Sequence, residues 1–178
     1  MLQKLYRRLR SDLWLRAAFL SGVFALVLFI LLMGQPRFTN ASRPAMWGDA
    51  QLSMQFAKNT EEVEWIVGDS PSADREVMRF KTYLDFPFIA CYVTLLVSLG
   101  MRVARQNAPL GWAIAISALS IGLFDVLENR AILEVVNARL RVTSQEMVDA
   151  IRRAATVKWT LAGLTLTLFV TRLFRKTT

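Results

Sequence analysis

Histidine is absent from the 178 residues of this chain, and cysteine occurs once, at Cys91. The missing histidine excludes the usual zinc, haem and Ser-His-Asp sites. A lone cysteine cannot form a disulfide within the chain, so we interpret Cys91 as a small packing residue. Glycine-rich phosphate loops and dinucleotide fingerprints are also missing. No cofactor or metal is therefore expected, and any catalysis must rest on carboxylates, Tyr, Lys, Arg and Asn.

Polar residues are too few to cover a soluble domain of this size, because 54% of the residues are hydrophobic. This composition predicts a membrane protein. The net charge of +8 comes from basic residues that lie beside apolar segments, which favours anionic lipid headgroups as partners and argues against nucleic acid.

Four segments are long and apolar enough to cross a hydrocarbon core of about 30 Å as helices. We therefore predict an all-α, integral membrane four-helix bundle that forms a single domain, residues 1–178. The first segment follows a basic run, but it is longer than a signal-peptide core and no cleavage site follows promptly, which favours an uncleaved anchor. The predicted spans are approximately 15–34, 86–104, 110–134 and 156–173.

Basic residues near the predicted spans determine the orientation, because Lys and Arg are retained on the cytoplasmic side. Both termini and the second connection are rich in them, and we predict that these parts are cytoplasmic. The residues concerned are Lys4, Arg7, Arg8, Arg10, Arg16, Arg102, Arg105, Arg172, Arg175 and Lys176.

Residues 35–84 form the long connection between the first two spans, and we predict that they build a helical cap on the extracellular or periplasmic side. "NTEEVEWIV" is typical of a short amphipathic helix, with Asn59 or Thr60 as its cap. A second helix is expected from Ser70, with Pro71 at its first position. A plain surface loop is the alternative.

The stretch "GLFDVLENRAIL" places Asp125, Glu128 and Asn129 inside the third predicted span. Their spacings of three and four residues put them on one helix face, close to the outer end of the span. An aspartate exposed to lipid there would cost a few kcal/mol, so this face is expected to point into the bundle.

The second and fourth predicted spans carry polar residues at a similar depth. In "YLDFPFIACYV", Asp85 precedes Pro87 and is either a helix N-cap or a site residue, and Tyr92 lies deeper. In "AATVKWTLAG", Lys158 is either a site residue or a side chain that extends to the headgroups, and Trp159 is typical of the interfacial aromatic belt.

These residues converge on one outer layer, where Lys158 or Arg130 could neutralise Asp125 or Glu128. Two interpretations stay open. The layer is either a functional site or a polar clasp that fixes how the helices pack.

The three stretches together resemble a family of small, uncharacterised bacterial four-helix membrane proteins, with DFPF followed by Tyr, a D-x-x-E-N helix and a Lys-aromatic pair in the last span. The resemblance implies that architecture in a bacterial inner membrane. In arrangement the chain is also distantly similar to sterol-isomerase-like bundles, in which acidic side chains meet a lipophilic ligand.

The favoured hypothesis is an outer-leaflet site for a lipophilic small molecule or lipid, with acid–base catalysis of isomerisation, cyclisation or epoxide hydrolysis as its enzymatic form. Asp125 would be the acid and Glu128 the base. Asp85 is a third catalytic candidate. It would lie at the mouth of the site with Lys158, beside Trp159. Tyr92 and Asn129 would orient the ligand. The alternative is a non-enzymatic structural or assembly subunit. Homo-oligomerisation stays open, and proton-coupled transport is disfavoured by the absence of a continuous polar path.

Overall fold

The computed structural model describes residues 12–34, 37–38, 50–68, 72–137 and 144–174. Six α-helices and no strand lie within these ranges, which confirms the all-α class. The helices are α1 (Leu13–Met33), α2 (Ala50–Gln55), α3 (Thr60–Val67), α4 (Ala73–Ala104), α5 (Ala108–Asn137) and α6 (Gln145–Phe174).

Helix α1 begins at an aspartate cap. Asp12 accepts a hydrogen bond from the backbone N–H of Leu15 at 3.1 Å, and its Oδ2 lies 3.3 Å from Arg102 and 3.2 Å from Arg105. The Leu15 hydrogen bond, followed by the two guanidinium groups, lowers the pKa of Asp12 below its usual value. The start of α1 is thereby fixed to the end of α4.

Helix α4 is longer than predicted, and it corrects the interpretation of Asp85. The second span was expected to begin near residue 86, with Asp85 as a possible cap, but one helix runs from the Ser72 cap through Pro87. Proline removes one backbone hydrogen bond from a helix interior. Packing of the flanking turns offsets that loss here, so Asp85 lies inside the helix and is not an N-cap.

The other helix ends also extend beyond the apolar segments. Helix α5 covers 108–137 instead of 110–134, and α6 begins at 145 instead of 156. The added turns are amphipathic, and their buried faces form a hydrophobic core with α2 and α3. The main members of this core are Met54, Val63, Val67, Met78, Ile132, Val135, Val136, Val148 and Ile151.

The predicted cap, residues 35–84, is helical in part. Asn59 caps α3 by accepting a hydrogen bond from the N–H of Glu62 at 2.8 Å, as predicted. The expected second cap helix is the first part of α4. Several predicted features lie outside the described residues, namely Ser70, Pro71 and the basic side chains of Lys4, Arg7, Arg8, Arg10, Arg172, Arg175 and Lys176.

Three of the described helices, α1, α4 and α5, are long and apolar enough to cross a membrane, which indicates an integral membrane protein. Helix α6 is not among them. Its first half carries Arg152, Arg153 and Lys158, and these charges lower its hydropathy.

The long helices pack in chain order, α1 against α4, α4 against α5, and α5 against α6. The contact between α4 and α5 is close because glycines lie in it. A Cβ atom at Gly111 would overlap the backbone of Ala104, and one at Gly122 would lie 2.5 Å from a methyl group of Val93. Helices α1 and α6 are consequently the outer members of the row.

Candidate functional site

The polar face of α5 points into the bundle, as predicted. Asp125, Glu128 and Asn129 are 6%, 0% and 1% exposed, although they lie in a helix apolar enough to cross a membrane. Buried ionisable groups at such positions require partners. Those partners come from the two neighbouring helices.

Asp125 joins α5 to both neighbours. Its Oδ2 accepts a hydrogen bond from the hydroxyl of Tyr92 on α4 at 2.7 Å, and its Oδ1 accepts one from Lys158 Nζ on α6 at 2.9 Å. Both distances are typical of hydrogen bonds to a charged group. Asp125 therefore holds three helices together at one level.

Glu128 shares the same lysine. Lys158 Nζ lies 2.8 Å from Glu128 Oε2 in an ion pair, although neither carboxylate oxygen of Glu128 has a hydrogen-bond partner among the described residues. Arg130, the other cation considered from the sequence, is exposed. Lys158 is therefore the neutralising partner.

Asp85 and Asn129 form a second link between α4 and α5. The side-chain amide of Asn129 donates to Asp85 Oδ2 at 2.8 Å. Asp85 is half-buried and faces the same interior as Asp125, so the structure brings it into the polar cluster.

Lys158 points inward instead of extending to the headgroups. It is 6% exposed, and its Nζ lies 5.3 Å from the ring centroid of Trp159. Trp159 is half-exposed, and its indole N–H donates to Oε1 of Gln55 in α2 at 2.9 Å. The proposal that Lys158 merely anchors the helix end is therefore wrong, whereas Trp159 links α6 to α2.

A cavity of about 600 Å³ lies between α1 and α6, in front of α4 and α5. Its polar lining is concentrated around the cluster, and the remaining wall is largely aliphatic and aromatic. The polar lining residues are Gln51, Gln55, Asp85, Tyr92, Asp125, Lys158 and Thr165; the apolar ones include Phe29, Leu32, Met33, Phe88, Leu96, Ile121, Ala162, Leu166 and Phe169.

The predicted site residues divide into two layers. Asp85, Tyr92, Asp125, Lys158 and Trp159 line the cavity, whereas Glu128 and Asn129 lie behind that lining. The latter two bind Lys158 and Asp85 and so position them. A ligand would contact the first layer directly.

Several lining residues carry no signal in the sequence. Gln51 and Gln55 belong to the six-residue helix α2, and Phe29 belongs to the predominantly apolar α1. Phe88 follows Asp85 by three residues and could have been placed on its face by helical spacing. The two glutamines could not, because only the tertiary fold brings α2 to α6.

The functional groups of the site are carboxylates, a phenol and an ammonium group, and they lie beside an apolar chamber. Within the described ranges no set of three Cys, Asp or Glu side chains is arranged to hold a metal ion. Comparisons with protein-family models, curated proteins and solved structures found no match for this chain.

Proposed function

We propose that this chain is a membrane-embedded binding protein for a lipophilic small molecule or lipid. The observation that carries the proposal is the cavity of about 600 Å³, which combines an apolar wall with a polar end. Its volume lies within the range of small-molecule sites, about 300–1,000 Å³, and such sites typically place a few polar groups in an apolar lining.

The proposed topology has four crossings, with both termini in the cytoplasm of a bacterium and the cavity toward the outer leaflet of its inner membrane. Arg102 and Arg105 support it, because they meet Asp12 at the bundle end opposite α2 and α3, and cations favour the cytoplasmic side. A fourth crossing by α6 is supported by the exposed apolar side chains of Leu164 and Val170 in its second half.

The proposed ligand enters sideways from the lipid, between α1 and α6. Both helices line the cavity, yet no extensive packing joins their described residues. A lipophilic molecule dissolved in the bilayer could reach the polar cluster by this route without crossing water.

Acid–base catalysis is the enzymatic form of the proposal. Asp125 would transfer the proton, with Lys158 neutralising its charge and Tyr92 orienting the ligand. Glu128 would act through Lys158, because it lies behind the cavity lining. Isomerisation, cyclisation or epoxide opening would suit such a site.

The binding proposal is tested by filling the cavity. Native mass spectrometry of protein extracted into lipid nanodiscs would compare the wild type with Ala162→Trp, whose indole would project into the chamber. Leu164→Trp is the matched control, since Leu164 lies on the same helix and is 57% exposed. We expect a retained lipophilic molecule in the wild type and the control and its loss in Ala162→Trp. Equal retention in all three proteins would contradict the proposal.

A non-enzymatic structural or assembly subunit is the second candidate. It is favoured by the fact that Tyr92, Asp125 and Lys158 connect three helices, as a polar clasp would. The two candidates differ in one measurement. Both candidates expect Asp125→Asn to lower thermal stability, but a pure clasp predicts that Ala162→Trp alters no bound molecule.

A further inference from the structure

The cavity presents a carboxylate that lacks a basic partner. Asp85 lines the chamber and accepts one hydrogen bond from the neutral amide of Asn129. Among the described residues no Lys or Arg forms an ion pair with it. The ligand-facing end of the site therefore holds a carboxylate that forms no ion pair with a basic side chain of the described residues.

Charge within the polar cluster is unbalanced in the same direction. Lys158 is its one cation among the described residues, and this ammonium group lies between Asp125 and Glu128, at 2.9 and 2.8 Å. The cluster therefore has three carboxyl groups for one ammonium group. Electrostatic complementarity then favours a cation near Asp85.

The wall beside Asp85 is suited to a hydrocarbon chain or ring. Phe88 lies one turn further along α4, and its ring centroid is 5.5 Å from that of Tyr92 and 6.3 Å from that of Phe29. Leu166 and Phe169 face them from α6. A molecule that reaches Asp85 with a charged group must therefore hold its remaining atoms against apolar side chains.

We infer that the ligand is a single-chain lipophilic amine, whose ammonium group binds Asp85 while its hydrocarbon part occupies the apolar chamber. This inference rests on the proposed function. A lipophilic carboxylate fits less well, because Lys158 is already paired twice and Asp85 would repel the acid. A neutral alcohol could donate a hydrogen bond to Asp85 but would form no ion pair with it.

Three probes that share one hydrocarbon chain separate these head groups, namely dodecylamine, dodecanol and dodecanoate. Added together to wild-type protein in nanodiscs, at equal amounts in the bilayer, they are counted as bound adducts by native mass spectrometry. We expect about tenfold or more bound amine than bound alcohol, because an ammonium group forms a stronger hydrogen bond to a carboxylate than a neutral hydroxyl does. Dodecanoate should bind least.

Variants then assign the preference to Asp85. Asp85→Asn should reduce the excess of amine over alcohol to within about twofold, whereas Asp85→Glu should keep it. Glu134→Gln is the matched control, because Glu134 is an exposed carboxylate of α5 that does not line the cavity. Folding of each variant is checked by its melting temperature, and the comparison among probes in the wild type requires no variant.

The outcomes separate this inference from the proposal beneath it. Equal binding of amine and alcohol by the wild type, or an amine preference that survives in folded Asp85→Asn, overturns the head-group assignment and leaves the lipophilic site standing. If none of the probes binds the wild type more than it binds Ala162→Trp, both the amine inference and the proposed function fail.

Discussion

Removal of the buried ammonium group should be among the most damaging single changes in this protein. Lys158 lies 2.9 Å from Asp125 and 2.8 Å from Glu128, and all three side chains are less than one-tenth exposed. At an effective dielectric constant of about 20, each contact amounts to roughly 6 kcal/mol of attraction. Much of this is offset by the desolvation of the charges, so the ion pairs need not add net stability to the fold.

Lys158→Met keeps most of the side-chain volume but leaves two buried carboxylates without a cation. Breaking a buried pair in this way costs about 3–5 kcal/mol. The free energy of unfolding, measured in mixed micelles with a titrated denaturing detergent, should fall by that amount. Lys58→Met is the matched control, since Lys58 is exposed, and it should change stability by less than about 0.5 kcal/mol.

Neutralising the acids should restore what the lysine variant loses. In the triple variant Lys158→Met, Asp125→Asn, Glu128→Gln, neither of the two former partners of Lys158 carries a charge, and most of the lost stability should return. A loss below about 1 kcal/mol in Lys158→Met, or a triple variant no more stable than the single one, would refute the buried ion-pair arrangement.

Three further predictions use the same preparations. Tyr92→Phe removes a hydrogen bond to a buried carboxylate and should lower the free energy of unfolding by about 1.5–3 kcal/mol in the same titration. Gly111→Ala should lower the melting temperature, because its Cβ would overlap the neighbouring helix backbone, whereas Gly163→Ala, with nothing within 4 Å of its added Cβ, should maintain or raise it. The hydrogen bond from Leu15 lowers the pKa of Asp12 below 3.8, so its stabilisation is present above that pH and is lost as the pH falls through the lower, folded value. The difference in melting temperature between wild type and Asp12→Ala should accordingly shrink on acidification, and a constant difference would contradict this.

The helical class and the burial of the acids could be predicted, because each follows from the free-energy cost of exposing a short stretch of sequence to the wrong solvent. Long apolar runs cannot be covered in a soluble domain of this size. Ionisable groups such as Asp125 and Glu128 cannot face hydrocarbon without a cost in free energy. Helical spacing then places these acids on one face. The structure agrees with that placement.

Two alternatives left open by the sequence are rejected by the structure, because tertiary contacts outweigh the local preference in each case. Pro87 and Asp85 together are typical of a helix start, yet packing on both sides maintains one helix through them. Lys158 near a helix end commonly extends to water, yet two acids on α5 draw it inward. Neither outcome can be obtained from spacing along one helix.

The contribution of Gln55 and Phe29 to the cavity could not be predicted for a further reason. Gln55 receives the indole N–H of Trp159 from a position 104 residues away in sequence, and Phe29 belongs to a helix without polar pattern. Such contacts are set by how helices dock, and one sequence contains no signal for them.

The measurement that tests the central claim most directly is photo-crosslinking with a dodecylamine that carries a diazirine in its chain. After irradiation in nanodiscs, the labelled peptides are mapped by mass spectrometry. We predict labels on cavity residues such as Phe88 and Leu96, and their loss in Ala162→Trp but not in Leu164→Trp. Labels spread over the lipid-facing surface, for example at Phe24, and unchanged by Ala162→Trp would contradict a binding cavity.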